Sequence, residues 1–285
     1  MRNILNNIFV AFALTAFTLV GCNPKGGDFT ALQDTQSDNA TTQIPANLNL
    51  NDKQKLAQNA LEKAQGIKSD KEKDKEKDKE KDKAPLIAWV TNKAQTSIAS
   101  IKQYKNKTED DDQYGMKQGV FKLLKNLGNQ KTVNSDENTA LRKLFYLSLE
   151  WNEDKIRKFG IIFNKIDLNN INNLTQNIFL AGAGHAQRYF EQIINIIENK
   201  KDNLKTPSLQ ELKNIKSKLE EIYELKQKWT DTINNIITDY EANTDDSQNN
   251  NQALLKHINS KYGRVFKDEI PKIQALAQDI EKILK

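Results

Sequence analysis

From about Ala84 to the C-terminus, apolar residues recur at steps of three and four positions along the chain. This spacing places them on one face of an α-helix, whereas a half-buried strand would alternate apolar and polar residues. In the first half, Leu86 to Ile101 predicts a helix with Pro85 in its first turn, and Gly128 stops a helix at Tyr114–Leu127. Three more helices are predicted. The first is capped by Asn134 and Glu137 and ends near Trp151, and the second is capped by Asn152 and carries Ile156 to Ile166. The third follows a loop at Asp167–Asn170 and ends near Lys200.

The strongest periodic signal covers Pro207–Tyr240. Ser208 and Glu211 form a capping box at its start, and Lys226 occupies one apolar position of the stripe. At 1.5 Å per residue, this helix is roughly 50 Å long. Its stripe fits the buried face of a bundle helix, which we favour, or the seam of a coiled-coil dimer. The other stripe positions are Leu212, Ile215, Leu219, Ile222, Trp229, Ile233, Ile236 and Tyr240.

Two shorter helices follow the polar loop Thr244–Asn250. The first carries Leu254 to Tyr262, and the last starts near Asp268 with Pro271 in its first turn, where the missing N–H is tolerated. With only 11 Gly and 5 Pro in 285 residues, the chain has few sites for the tight turns of an all-β fold. We therefore predict an all-α domain, a single bundle of about six to seven helices.

The first residues predict a lipoprotein signal peptide over 1–21. Arg2 gives a short basic start, Ile8–Val20 is an apolar run too short to span a bilayer, and Leu-Val-Gly-Cys ending at Cys22 forms a lipobox. Cys22 is the predicted lipid-attachment residue; an ordinary secretory signal is the alternative. Because Cys22 is the only cysteine, acylation leaves no thiol for disulfides, catalysis or metal ligation.

Residues 22–83 predict a lipidated, disordered tether. Its first part is polar and without period, and Asp52–Ile67 has the spacing of a short helix. In Asp70–Lys83 an acid alternates with a lysine, so i,i+4 pairs carry like charges and no apolar residue can be buried. We interpret this run as an extended spacer and place the helical surface domain at 84–285.

The charge balance is mild: 43 Lys and Arg against 38 Asp and Glu give a net charge of +5. Lysines dominate, and no arrangement of Arg with stacking aromatics indicates a nucleic-acid partner. Beyond the signal, no segment approaches the roughly 20 apolar residues of a spanning helix. We therefore expect membrane contact through the lipid anchor only.

Few residues are candidates for chemistry. Ala181–His185 looks like a glycine-rich phosphate loop but lacks the third glycine and follows no strand, so its small residues predict a close contact between helices. The only histidines, His185 and His257, have no carboxylate at ligand spacing and are predicted as core-edge or surface side chains. No catalytic motif is present, so we predict a protein that is not an enzyme and that binds no metal or cofactor.

Four stretches of sequence, in their order and spacing, resemble the paralogous surface lipoproteins of Lyme-disease spirochaetes, the family of the complement regulator-acquiring surface protein CspA. They are Leu144–Trp151, Ile215–Glu220, Asp239–Asp246 and Leu255–Tyr262. The resemblance covers roughly Ala84 to Phe266. It implies a compact bundle of long helices on the outer surface and, for CspA, capture of host factor H by a dimer that exchanges its C-terminal helices.

The segment Val265–Lys285 departs from the family pattern where that dimer and its binding cleft are formed. No ligand-binding residue is therefore carried over to this chain. A monomer and a dimer built by the C-terminal helix both stay open.

These features together lead to one functional hypothesis. We expect a lipid-anchored protein of the bacterial outer membrane, exposed on the surface, that binds a host serum or matrix protein. A complement component, factor H or terminal-pathway proteins, is the first candidate for immune evasion. The alternatives are a host-cell or matrix adhesin, a plasminogen receptor, a surface antigen without a dedicated ligand, and a periplasm-facing lipoprotein of envelope assembly.

Overall fold

Long helices make up most of residues 80–167 and 173–285, the part of the chain that the computed structural model describes. They are α1 (80–105), α2 (Thr139–Ser148), α3 (Glu153–Asp167), α4 (174–199), α5 (Leu209–Glu241), α6 (Asn251–Arg264) and α7 (Lys272–Ile283). Within these ranges the single β pairing is an isolated bridge between Lys125 and Thr132. The predicted all-α bundle of about six to seven helices is confirmed.

Two of the helical runs contain π-helical segments. In α4, Leu174–Phe179 continues through the π segment Leu180–Tyr189 into Phe190–Asn199. A second π segment, Val265–Glu269, joins α6 to the start of α7. Pro271 is the N-cap of α7, close to its predicted place in the first turn.

The signal peptide, Cys22 and the tether up to residue 79 lie outside the described residues, as does most of the loop predicted at Asp167–Asn170. All described residues belong to one compact unit, Leu61–Lys285. The anchor and the domain boundary at Ala84 therefore stay predictions.

The interior is organised around Trp229 of α5, which is fully buried. Its indole Nε1 donates a hydrogen bond to the carbonyl oxygen of Ser148 at 2.9 Å, and its ring meets that of Phe266 edge-on at 5.8 Å. Gly182 of the π segment lies against the indole, where an added Cβ would be 2.6 Å from Cζ2 of Trp229. The predicted close contact between helices at Ala181–His185 is confirmed.

The apolar stripe of α5 is buried in its own chain, apart from the half-buried Tyr240. The bundle interpretation is therefore confirmed over the coiled-coil seam. The capping box also forms, with the Glu211 N–H donating to Ser208 Oγ at 3.2 Å and the Ser208 N–H donating to Glu211 Oε2 at 2.7 Å. These bonds satisfy two of the amide groups that a helix start leaves without partners.

Lys226 occupies one apolar position of the α5 stripe, and its ammonium group is enclosed by residues of α4. The stem is partly exposed, but Nζ donates to the carbonyl oxygen of Ala186 at 2.8 Å and to Gln187 Oε1 at 3.0 Å. It also lies 4.3 Å from the centre of the Phe190 ring. Burial lowers the pKa of Lys226 to about 8, against smaller opposing effects of Glu191 and Glu150.

The helix predicted at Tyr114–Leu127 is wrong, because only one helical turn forms there, at Val120–Leu123. Gln113 and Tyr114 both have φ of 56°, a left-handed conformation that interrupts a helix. Tyr114 is drawn into the core, where its hydroxyl accepts from Trp151 Nε1 at 3.0 Å. Successive backbone turns, with a few side-chain bonds such as that from Asn164 to the Val120 N–H, replace a continuous helical ladder here.

A buried ion pair holds the same segment to the bundle. Arg142 of α2 is only 1% exposed, and its Nε donates to Glu109 Oε2 at 2.9 Å. Its Nη1 donates to the carbonyl oxygens of Val133 and Ser135, each at 2.6 Å. Burial opposes the charge on Arg142, but hydrogen bonding and attraction from Glu109 outweigh it and raise the pKa of the guanidinium. One side chain thus fixes both ends of an irregular stretch of about 25 residues.

Two further predictions at helix starts need correction. Asn134 and Glu137 do not cap α2, because the Asn134 amide donates to the carbonyl oxygen of Lys117 at 3.0 Å and Glu137 pairs with Lys131. In α1, residues 80–83 are helical where an extended spacer was predicted, so Pro85 lies beyond the first described turn. The cap by Asn152 is confirmed, since its Oδ1 accepts from the Lys155 N–H at 3.0 Å.

The C-terminal segment completes the core of its own chain. Helix α7 packs on α4 and α5, and Ile273 and Ile280 are fully buried. Lys218 Nζ lies 2.9 Å from Asp279 Oδ2, and Lys200 Nζ donates to the carbonyl oxygen of Leu284 at 2.5 Å. The segment Val265–Lys285, which the sequence predicts to depart from the family pattern, is therefore an integral part of this bundle.

The Trp229 contact predicts unequal effects of alanine at two glycines in one π segment. We expect Gly182→Ala to lower the free energy of unfolding by about 2 kcal/mol, because the methyl group would overlap the indole. Gly184→Ala is the control, since no atom lies within 4 Å of its added Cβ, and it should be neutral or stabilising by up to about 1 kcal/mol. Urea unfolding followed by tryptophan fluorescence measures both, and equal losses would contradict the proposed packing.

The enclosed ammonium of Lys226 predicts a pH dependence of stability. Between a folded pKa of about 8 and the ordinary value of 10.5, the unfolded chain binds more protons, so stability rises with pH across this window. We expect Lys226→Met to remove that rise and to add about 1 to 2 kcal/mol at pH 7, after the loss of two hydrogen bonds. Urea unfolding at pH 7 and pH 10 measures it; an unchanged rise in the variant would contradict the assignment.

Candidate binding groove

A groove of about 570 Å³ lies between the C-terminal half of α5 and the helix α6 with its π extension. Most of its lining residues are polar or charged, but their carbon atoms supply most of the lining surface, and the lining combines charges of both signs with amide groups and one aromatic ring. The lining residues are Glu224, Gln227, Lys228, Asp231, Thr232, Asn235, Lys261, Tyr262 and Val265.

One carboxylate oxygen next to the groove joins its two walls. Oδ2 of Asp239 on α5 accepts hydrogen bonds from Lys261 Nζ at 2.8 Å and from the Tyr262 hydroxyl at 2.5 Å, both on α6. The ring nitrogen Nε2 of His257 lies 2.8 Å from the same oxygen. Lys228 on the other wall pairs with Glu269 of the π segment. The walls of the groove are therefore tied together before any ligand arrives.

His257 extends this network to the turn after α5. The residue is 7% exposed, and its Nδ1 lies 2.7 Å from Asp245 Oδ2. Asp239 and Asp245 are 18 and 12 residues away along the chain, so sequence spacing did not reveal them as carboxylate partners. The hairpin of α5 and α6 brings them together.

The charges of this network are set by its hydrogen bonds. Burial opposes ionisation of Asp239, but hydrogen bonds from Lys261, Tyr262 and His257 outweigh it and lower the pKa of the carboxyl to about 2. The same contact with Asp239 raises the pKa of Lys261. Both groups are therefore charged throughout the neutral range.

The second histidine, His185, does not join the groove. It lies in the π segment of α4, stacks on Tyr189 at 5.7 Å and has a buried Nδ1 without a hydrogen-bond partner. Burial lowers the pKa of His185, which favours the neutral ring. Across residues 80–167 and 173–285, no three or more His, Cys, Asp or Glu side chains are grouped so as to hold a metal ion.

Three of the four stretches that carry the family resemblance have identifiable structural roles. Asp239–Asp246 and Leu255–Tyr262 meet in the network beside the groove. Leu144–Trp151 supplies the Ser148 carbonyl that accepts from Trp229 and the Trp151 indole that donates to Tyr114. The resemblance therefore rests on residues that position helices.

A family model described as Borrelia Bbcrasp-1 domain containing protein matches residues 103–285. The chain belongs to this family. The match includes the whole groove and the Trp229 contact. It also extends through Val265–Lys285, beyond the end of the predicted resemblance near Phe266. The predicted family is thereby confirmed.

Solved structures of Borrelia outer surface proteins share the fold. The outer surface protein BBA65 of Borrelia burgdorferi aligns with a TM-score of 0.64 and 25% identity over 68% of this chain and 98% of its own. The outer surface lipoprotein BBA64 of the same organism aligns with a TM-score of 0.63 and 25% identity over 70% and 94%. The comparison with curated proteins gives no match. Family and neighbours confirm the predicted localisation on the outer surface.

Among the helices of residues 80–167 and 173–285, none combines the length and the hydropathy that a transmembrane span requires.

The network beside the groove predicts that Asp239 is a stabilising residue. Because its folded pKa of about 2 is below the ordinary 3.8, its contribution is present above pH 4 and is lost as the pH falls through 2. We expect Asp239→Asn to cost about 2 kcal/mol at pH 7. Asp231→Asn, on the same helix and with one exposed amide partner, is the control and should cost less than about 0.5 kcal/mol. Urea unfolding measures both, and similar losses would contradict the assigned role.

Proposed function

We propose that this protein is a lipid-anchored surface protein that binds a host protein, a complement component, through the groove between α5 and α6. The observation that carries the proposal is that the groove is built before binding, with both of its lysines, Lys228 and Lys261, already held by ion pairs. Binding then costs little ordering of this surface. The resemblance to the complement regulator-acquiring family supports complement as the class of ligand.

The open shape and the mixed charges of the groove favour a protein over a small apolar ligand. The lining contains Lys228 and Lys261 together with Glu224 and Asp231, and Gln227 adds an amide group. A protein surface with charges of both signs and backbone carbonyls complements such a lining, and Tyr262 adds aromatic contact area. The groove is also open, as a partner larger than itself requires.

The anchor and the absence of catalysis are parts of the same proposal. Acylation of Cys22 would hold the chain at the membrane surface and leave the helical domain outside. We propose no enzymatic activity, because Asp239 and Lys261, which have strongly shifted pKa values, are engaged in an ion pair that holds two helices together.

The first test is retention of serum proteins by an immobilised soluble form, Asn23–Lys285, identified by mass spectrometry. Enrichment of factor H or terminal complement proteins over a heat-denatured control supports the proposal. Retention of plasminogen or matrix proteins would assign the surface to adhesion instead. Retention of nothing above the control would contradict a host-protein ligand and favour a surface antigen.

Neighbouring asparagines test whether the groove is the contact. Asn235 lines the groove and Asn234 is exposed beside it on the same helix. We expect Asn235→Arg to lower the affinity for the retained protein by at least about tenfold, because the longer side chain fills the groove. Asn234→Arg carries the same charge change and should leave the affinity within about twofold. Surface plasmon resonance measures both, and equal effects would place the contact elsewhere.

A further inference from the structure

One segment between α1 and α2, partly buried and partly exposed, has a local charge unlike most of the chain. From 113 to 135 it carries four lysines and no acidic residue, between the acidic residues 109–112 before it and Asp136 and Glu137 after it. The lysines are Lys117, Lys122, Lys125 and Lys131. This excess of positive charge attracts anionic surfaces.

Two of the three most exposed large apolar side chains of the described residues lie in the same segment. Leu123 is 57% exposed and Leu127 is 66% exposed. Residues 127–131 are all exposed, so they form the tip of a loop. We refer to residues 122–131 as the leucine–lysine loop.

Two lysines of this loop have no ion-pair partner among the described residues. Lys131 pairs with Glu137, and Lys117 outside the loop donates to the carbonyl oxygen of Asp111 at 3.1 Å. Lys122 and Lys125 are exposed and flank Leu123 on both sides. Their charges are therefore available to an external anion.

The loop is ordered although it is exposed. Oδ1 of the buried Asn138 accepts from the side-chain amides of Asn126 at 2.6 Å and Asn129 at 2.9 Å, and its amide donates to the carbonyl oxygen of Thr132 at 2.8 Å. Together with Arg142, which holds the carbonyl oxygens of Val133 and Ser135, this fixes the base of the loop. Presenting its leucines to water thus requires no rearrangement.

We propose that the leucine–lysine loop binds an anionic phospholipid surface, with Leu123 and Leu127 inserted at the interface and Lys122 and Lys125 on the headgroups. An ordered loop with two exposed leucines, two lysines without ion-pair partners and no acidic residue of its own suits a soft, uniformly anionic bilayer, where each Lys adds attraction and each Leu adds apolar burial. A protein partner would favour both charge signs and a recess, as found at the α5–α6 groove. This second membrane contact is independent of host-protein binding.

Vesicle sedimentation with Asn23–Lys285, which contains the whole compact unit and lacks Cys22, tests the proposal. We expect the protein to sediment with vesicles of phosphatidylcholine and phosphatidylglycerol, and not with phosphatidylcholine alone. Leu123→Ser with Leu127→Ser, and separately Lys122→Glu with Lys125→Glu, should each weaken the partition about tenfold or more. Lys102→Glu with Lys105→Glu on α1 has the same spacing and charge change and should have less than about a twofold effect.

A fluorophore at a single thiol locates the contact. Cys22 is the only cysteine, so Leu127→Cys in this form gives one labelling site, and Gln103→Cys, exposed on α1, gives the control. An environment-sensitive dye should shift to the blue on anionic vesicles at position 127 and not at 103. Absence of sedimentation, equal weakening by the Lys102 and Lys105 changes, or a dye response that does not distinguish the two positions would overturn the proposal. Circular dichroism of each variant confirms that its helices are retained.

Discussion

The contact between Trp229 and Gly182 is the constraint on which the rest of the bundle depends. A fully buried indole can pack this closely only where the facing helix has no side chain, and its N–H must find a partner, here the Ser148 carbonyl. The contact joins α5, the π segment of α4 and the end of α2, and Phe266 adds the C-terminal segment to the same point. Four elements that are distant in sequence therefore meet at one side chain.

The π geometry of α4 and the enclosed lysine of α5 belong together. Over Leu180–Tyr189 the helix is wound in a way that is rare for so long a run, and Lys226 donates to the carbonyl oxygen of Ala186 within it. The ammonium group thus satisfies polar atoms of the neighbouring helix at the cost of its own desolvation. The lysine in the apolar stripe of α5 is thus accounted for by its hydrogen bond to the π segment of α4.

Much of the fold could be predicted where a local signal determines the structure. Residues three or four positions apart in the sequence are enough to predict the apolar stripe of α5 and its cap by Ser208 and Glu211. The small residues around Gly182 are likewise a local pattern. Tyr114–Leu127 has the same spacing, but Asn164 bonds the Val120 N–H and the Gly115 carbonyl oxygen from α3, and Trp151 donates to the Tyr114 hydroxyl. No local pattern records these partners. The groove was missed for a similar reason: Asp239 and His257 become neighbours only after α5 and α6 fold back on each other.

The ordering of the segment between α1 and α2 has a consequence for a protein exposed outside the cell. Proteases that cleave after lysine need several residues of extended chain, and an exposed stretch rich in lysine would ordinarily be an early cleavage site. Here Arg142 and Asn138 hold the base of that stretch, so cleavage requires local unfolding against a buried ion pair and an amide cluster. Resistance to digestion at this position is therefore a property of two side chains on and beside α2, remote from the peptide bonds they protect.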